Sequence, residues 1–120
     1  MEPNDLTYQV IGCAMEVHKV LGGGFQEVIY QRCLAIELEK AGILYAREVE
    51  QDIFYKEINV GSRRADFIID GKLVVELKAL LMLENVHIAQ AKNYLTAYQL
   101  ETGLLINFGG QSLDYKRIYV

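Results

Sequence analysis

The chain has 120 residues, 52% hydrophobic and 23% charged, with one proline and a formal net charge of -4. That length builds a core without a disulfide or metal staple, and the composition excludes a disordered or fibrous chain. The isoelectric point near 5.1 excludes a domain that coats nucleic acid by bulk electrostatics, because Lys and Arg that neutralise phosphates supply most non-specific affinity. Any nucleic-acid contact has to be local, metal-bridged or helped by a partner.

The opening MEPNDLTYQV lacks the basic and apolar regions of a secretory signal, and no apolar run is long enough to cross a bilayer. A cytoplasmic protein without membrane association is expected. Leu6, Val10, Cys13, Ala14, Val17 and Leu21 recur at helical spacing, with Asn4 or Asp5 as cap and Gly22-Gly23-Gly24 as terminator. His18, in the last turn, reads as a donor to that helix's free carbonyls. A second helix over residues 25–41 buries Val28, Leu34, Ala35 and Leu38 and ends at Gly42. Cys13 and Cys33 fall at apolar positions of these helices and read as buried, reduced thiols.

From Leu44 the period changes to two, with Tyr45, Val49, Gln51 and Ile53 on one side, which predicts a strand bent near Gln51. Residues 59–62 read as a turn. Residues 63–69 and 73–79 then form two strands around Asp70-Gly71, a hairpin signal. A third helix over about residues 84–100 carries the stripe Ile88, Ala91, Leu95 and Tyr98, and LLINF and residues 112–120 supply two more strands. The order α-α-β-β-β-α-β-β predicts one α/β domain, a mixed sheet flanked by helices, with at least one parallel strand pair.

Asp66, Glu76 and Lys78 interrupt runs of Phe, Ile, Leu and Val, where a buried carboxylate is costly unless paired or bound to a metal. Glu76 and Lys78 are two apart and leave the same face of a strand. Asp66 joins them only if the Asp70-Gly71 loop has an odd number of residues. A three-residue loop Ile69-Asp70-Gly71 sets Asp66 opposite Val74 and on the Glu76 face, whereas a two-residue turn sends it to the other face. Two carboxylates on one face hold a divalent cation, and a neighbouring lysine favours the nucleophile that attacks a phosphodiester. An ordinary Glu-Lys strand pair fits the same residues.

Asp66 followed by Glu76-Leu77-Lys78 on this element order resembles the PD-(D/E)XK nucleases, whose restriction-endonuclease-like core is the α/β fold expected here. Gly24-Phe25-Gln26-Glu27-Val28-Ile29-Tyr30 further resembles the GxxExxY family placed in that superfamily. Gly22-Gly23-Gly24 stands where many relatives have Gly-Pro-Gly, and Ala65 where the superfamily has proline. The resemblance implies a Mg2+-dependent nuclease, with Mn2+ as a substitute. Asp66, Glu76 and the Leu77 carbonyl would hold the metal and Lys78 would assist water. Glu27 becomes a third acidic group near the metal, although a carboxylate in a first helical turn is also favoured by the macrodipole. Tyr30 either hydrogen-bonds toward the site or packs.

His87, Gln90 and Tyr94 fall at i, i+3 and i+7 of the third helix. Gln90-x-x-x-Tyr94 resembles the Q-x-x-x-Y motif of RecB-like nucleases, which makes Gln90 a catalytic candidate and His87 and Tyr94 site-lining ones. Arg63, Arg64, Lys72 and Lys92 form a candidate basic rim for phosphates. Two histidines without ligand spacing argue against a zinc site. The expected partner is nucleic acid, DNA first, with a homodimer or an accessory protein as further arrangements. The competing function is a non-catalytic nucleic-acid or protein interaction module that keeps the nuclease fold.

Overall fold

A computed structural model of the chain describes residues 2–120, the side chain of Pro3 excepted. Helix α1 (Pro3–Leu21) begins with proline in its first turn, where a missing N–H costs nothing, and Glu2 occupies the cap position. Asn4 and Asp5 therefore lie inside the helix and are not its cap. Helix α2 (Glu27–Lys40) starts two residues later than the pattern suggests. It buries Tyr30, Gln31, Leu34, Ala35 and Leu38, while Val28 is exposed, against expectation. Cys13 and Cys33 are half-buried free thiols at the margin of the core.

Strands β1 (Tyr45–Tyr55) and β2 (Ile58–Ile69) form a long ribbon that turns at Lys56-Glu57, both with positive φ. The turn expected at residues 59–62 is absent. Asn59 and Gly61 instead mark a bulge, where pairing passes from Ile53↔Gly61 to Phe54↔Asn59 and leaves Val60 as the extra residue. On either side of the bend expected near Gln51, β1 departs from regular geometry: Glu48 has φ of 54°, and the register shifts between Ile53 and Phe54.

Strand β3 (Leu73–Lys78) pairs antiparallel with β2 and parallel with β4 (Thr102–Asn107), and β5 (Asp114–Tyr119) closes the sheet antiparallel to β4. The spatial order is β1-β2-β3-β4-β5. Helix α3 (Asn85–Ala97) is the crossover that parallel pairing of β3 with β4 requires. The chain thus has the mixed α/β architecture and element order expected from its periodicities. Among the described residues no helix is long and apolar enough to cross a membrane.

The sheet separates two apolar clusters. One joins α1 and α2 to Phe67, Ile69, Val75, Leu77, Leu104, Ile106 and Phe108. The other, smaller, joins α3 to Ala65, Val74, Leu105 and Ile118. Ala65 and Phe67 are two apart yet belong to opposite clusters, so β2 changes face at Asp66. Glu48, with its positive φ, lies across from that point, between the pairs Arg47↔Phe67 and Val49↔Ala65.

Candidate active site

The register question posed by Asp66 is decided at the hairpin. Asp70 and Gly71 both have positive φ, Lys72 donates its N–H to the Ile69 carbonyl, and the ladder begins at Ile69↔Leu73. The loop therefore has three residues, Asp70-Gly71-Lys72. The number is odd as required, but the loop lies one residue later than expected. Continuing the register beyond Phe67↔Val75 brings Asp66 opposite Glu76 and not Val74.

Backbone pairing between β2 and β3 gives way at that point to the Asp66 side chain. Its Oδ2 accepts the Leu77 N–H at 2.8 Å, and its Oδ1 accepts Gln31 Nε2–H from α2 at 3.0 Å. Gln31 lies one turn after Glu27 on the same helix face, and that i, i+4 spacing was the available signal for a residue that sequence reasoning missed.

Glu76 is 5% exposed. Its Oε1 accepts from Arg63 Nη1 at 2.8 Å. Its Oε2 is buried without a hydrogen-bond partner. Burial pushes the Glu76 carboxyl up to about 7; the Arg63 hydrogen bond and charge act against this, while the Asp66 charge and hydrogen bonding with Asp66 add to it. Two ionised carboxylates have no donor to exchange, so the pair calls for a proton or a cation between them. Carboxylate oxygens suit a hard divalent ion, and the orphaned Oε2 beside Asp66 fits one. Glu27 does not complete a three-carboxylate cluster: among the described residues no group of three His, Cys, Asp or Glu side chains is gathered closely enough to hold an ion.

Glu27 is exposed at the start of α2, within reach of the charges of Asp66, Lys78 and Arg63. Crowding raises its pKa, first through lost solvation and then through the Asp66 charge, with Lys78 and Arg63 acting the other way. Lys78 Nζ donates to Gln90 Oε1 at 3.4 Å. Arg63, Glu76, Lys78, His87, Gln90 and Tyr94 close around one narrow cleft between the sheet and α3, too tight in this structure to admit a water molecule. His87 also serves α3 itself, its Nδ1 accepting the Glu84 N–H at 2.9 Å.

Tyr30 does not join this cleft. It is fully buried, stacks on Phe108 at 4.7 Å, donates its hydroxyl hydrogen to the Gly22 carbonyl and accepts the Phe25 N–H. His18 likewise serves the far loop instead of its own helix end, its Nε2 donating to the Gly110 carbonyl at 3.0 Å. The expected basic rim dissolves. Arg63 lies inside the cleft, Lys72 pairs with Asp70 in the hairpin turn, and Arg64 and Lys92 are exposed on different elements.

Asn107 is a second residue missed from sequence, although a lone amide in LLINF was a signal. It pairs with Lys78 across the parallel ladder, and its side chain bonds both the N–H and the carbonyl of Leu80. The chain leaving β3 is thereby clamped directly after Lys78. Gly109 is required beside this clamp, because a Cβ there would overlap the Leu80 backbone.

Among solved structures, the crystal structure of SSO0001 matches with a TM-score of 0.60 and 23% identity over 76% of this chain and 48% of that one. This chain thus spans about half the length of that protein. The alkaline exonuclease LHK-Exo from Laribacter hongkongensis matches with a TM-score of 0.51 and 11% identity over 88% of this chain and 75% of that one. At such identities the likeness shows a shared fold. No curated protein sequence matches the chain significantly. The sequence family described as the PD-(D/E)XK nuclease superfamily matches residues 4–118, and the chain belongs to that superfamily.

Proposed function

We propose that the protein is a Mg2+-dependent nuclease of the GxxExxY group, with Mn2+ able to substitute, that hydrolyses phosphodiester bonds of DNA within one domain. The observation that carries this reading is the buried Glu76 Oε2, without a donor and across from Asp66, on a chain of a nuclease superfamily. Asp66 and Glu76 would hold the ion together with the Leu77 carbonyl. When bound, the ion supplies positive charge to the scissile phosphate and lowers the pKa of the attacking water.

The chain's own residues do the rest. Lys78 leaves β3 on the Glu76 face, and Gln90 holds its ammonium. There it stabilises negative charge that develops on the nucleophile. Gln31 and the Leu77 N–H fix the Asp66 carboxylate before substrate arrives. Glu27 offsets the positive charge of Lys78 and Arg63.

The test is incubation of purified protein with plasmid, linear duplex and single-stranded DNA in Mg2+, Mn2+ or EDTA, beside Asp66→Ala and Lys78→Ala. Cleavage that needs the divalent ion and disappears in both variants is expected. Cleavage equal to wild type in both would sink the assignment. A non-catalytic interaction module is the second reading, and the Arg63–Glu76 ion pair favours it by giving the charges a structural use. Nucleic-acid binding without cleavage in any metal would select it.

A further inference from the structure

Arg63 is held in an unusual way. Its Nη1 meets Glu76 Oε1 at 2.8 Å, the Tyr98 hydroxyl at 2.8 Å and the Arg64 carbonyl at 3.3 Å. Its guanidinium carbon sits 3.8 Å from the centre of the Tyr94 ring. Guanidinium and carboxylate usually meet through two parallel hydrogen bonds. Here a single nitrogen serves three acceptors, and the second oxygen of Glu76 goes unmatched. The ion pair is half made, and continuing the register sets Asp66 opposite the same residue.

The backbone around Arg63 is not paired with β3. Paired residues of β2 and β3 run only from Phe67↔Val75 to Ile69↔Leu73, so Arg63 is tied across the sheet to Gln51 of β1 and not to β3. Its remaining anchors are the Tyr94 ring of α3, the hydroxyl of Tyr98 at that helix's end and the Arg64 carbonyl, none of which involves Glu76.

We propose that Arg63 is a resident counter-charge for Glu76, which a divalent cation displaces, and that the released guanidinium, still stacked on Tyr94, positions a phosphate of the nucleic-acid strand. Arg63 is a positioning residue in this scheme, and metal loading and phosphate binding become coupled through one side chain. Planar guanidinium matches phosphate oxygens in two-point contact, and the ring beneath it fixes its plane. This rests on the metal-dependent nuclease reading.

The experiment is a titration with Mn2+ followed by electron paramagnetic resonance of the free ion. It is run on wild type, Arg63→Met, Arg63→Lys, Glu76→Gln and Arg47→Met, the last a control at an exposed β1 position. Binding of a short DNA duplex in Ca2+ is measured in parallel, and circular dichroism verifies folding. Removing a competing ion pair should tighten Mn2+ binding about fivefold in Arg63→Met, while DNA binding weakens. Arg63→Lys, which keeps the charge without the fork, should shift both in the same direction by less, and serves alone if Arg63→Met does not fold.

A structural role predicts the opposite metal effect, since a loosened site binds the ion more weakly. Mn2+ binding that requires Glu76 but is unchanged or weaker in the Arg63 variants overturns the proposal and leaves the nuclease reading standing. Absence of Mn2+ binding in wild type, or equal binding in Glu76→Gln, overturns both.

Discussion

The two faces of the sheet solve different problems with the same strands. On the α1/α2 face, Tyr30, Phe67, Phe108, Leu34 and Leu38 are completely or almost completely buried, and the polar groups among them are matched, as with the Tyr30 hydroxyl and His18. On the α3 face the apolar cluster is smaller and shares its space with Arg63, Glu76 and Lys78. One face supplies most of the apolar burial that stabilises the fold, and the other keeps a costly carboxylate arrangement that this burial sustains. Asp66 sits where β2 crosses from one face to the other, held by Gln31 of α2 and the backbone of β3.

The sharpest way to separate the faces is to damage each in turn. Lys78→Met keeps the aliphatic stem and should cut cleavage by about a hundredfold or more, with an unchanged thermal midpoint; retained cleavage breaks the assignment of chemistry to the α3 face. Phe108→Ala removes a buried ring stacked on Tyr30. Urea unfolding should show a loss of about 3–5 kcal/mol, and a loss below about 1 kcal/mol would mean that the α1/α2 face does not carry the stability.

The pH dependence of stability sharpens the comparison further. Glu76 has a folded pKa of about 7 against a usual 4.5, so between those values the folded state holds a proton that the unfolded state has released. Its contribution is fully present below 4.5 and is lost as pH rises through 7, by up to about 3 kcal/mol. Urea midpoints of metal-free protein at pH 5 and pH 8 should therefore differ more in wild type than in Glu76→Gln, and equal differences would show that burial of Glu76 carries no such cost. The smallest effect is expected at the crossing point. Gln31→Ala should cost about 1 kcal/mol from one lost hydrogen bond and reduce cleavage less than Lys78→Met does.

Much of the fold was legible because the strongest signals are local. The stripe Leu6, Val10, Ala14 and Val17 and the run LVVEL announce their elements through side-chain period alone. The failures have local causes too. Asn59-x-Gly61 carries turn residues but forms a bulge, since the next two-residue connection, Lys56-Glu57, lies within reach despite its poor turn chemistry. Val28 was assigned to the core from type, yet the helix starts at Glu27 and its apolar face runs through Tyr30, Leu34 and Leu38.

Sequence alone determined the element order, the position of the hairpin at Asp70-Gly71 and the spacing that places Glu76 and Lys78 on one face. Those properties follow from periods of 2 and 3.6 and from turn chemistry, which neighbouring residues encode. Tertiary structure alone decided the length of the loop that brings Asp66 opposite Glu76, the bond from Gln31 to Asp66, the clamp of Asn107 on Leu80 and the pairing of Arg63 with Glu76. These contacts depend on register, on the change of face at Asp66 and on the approach of other elements, which set distances that residue types do not encode.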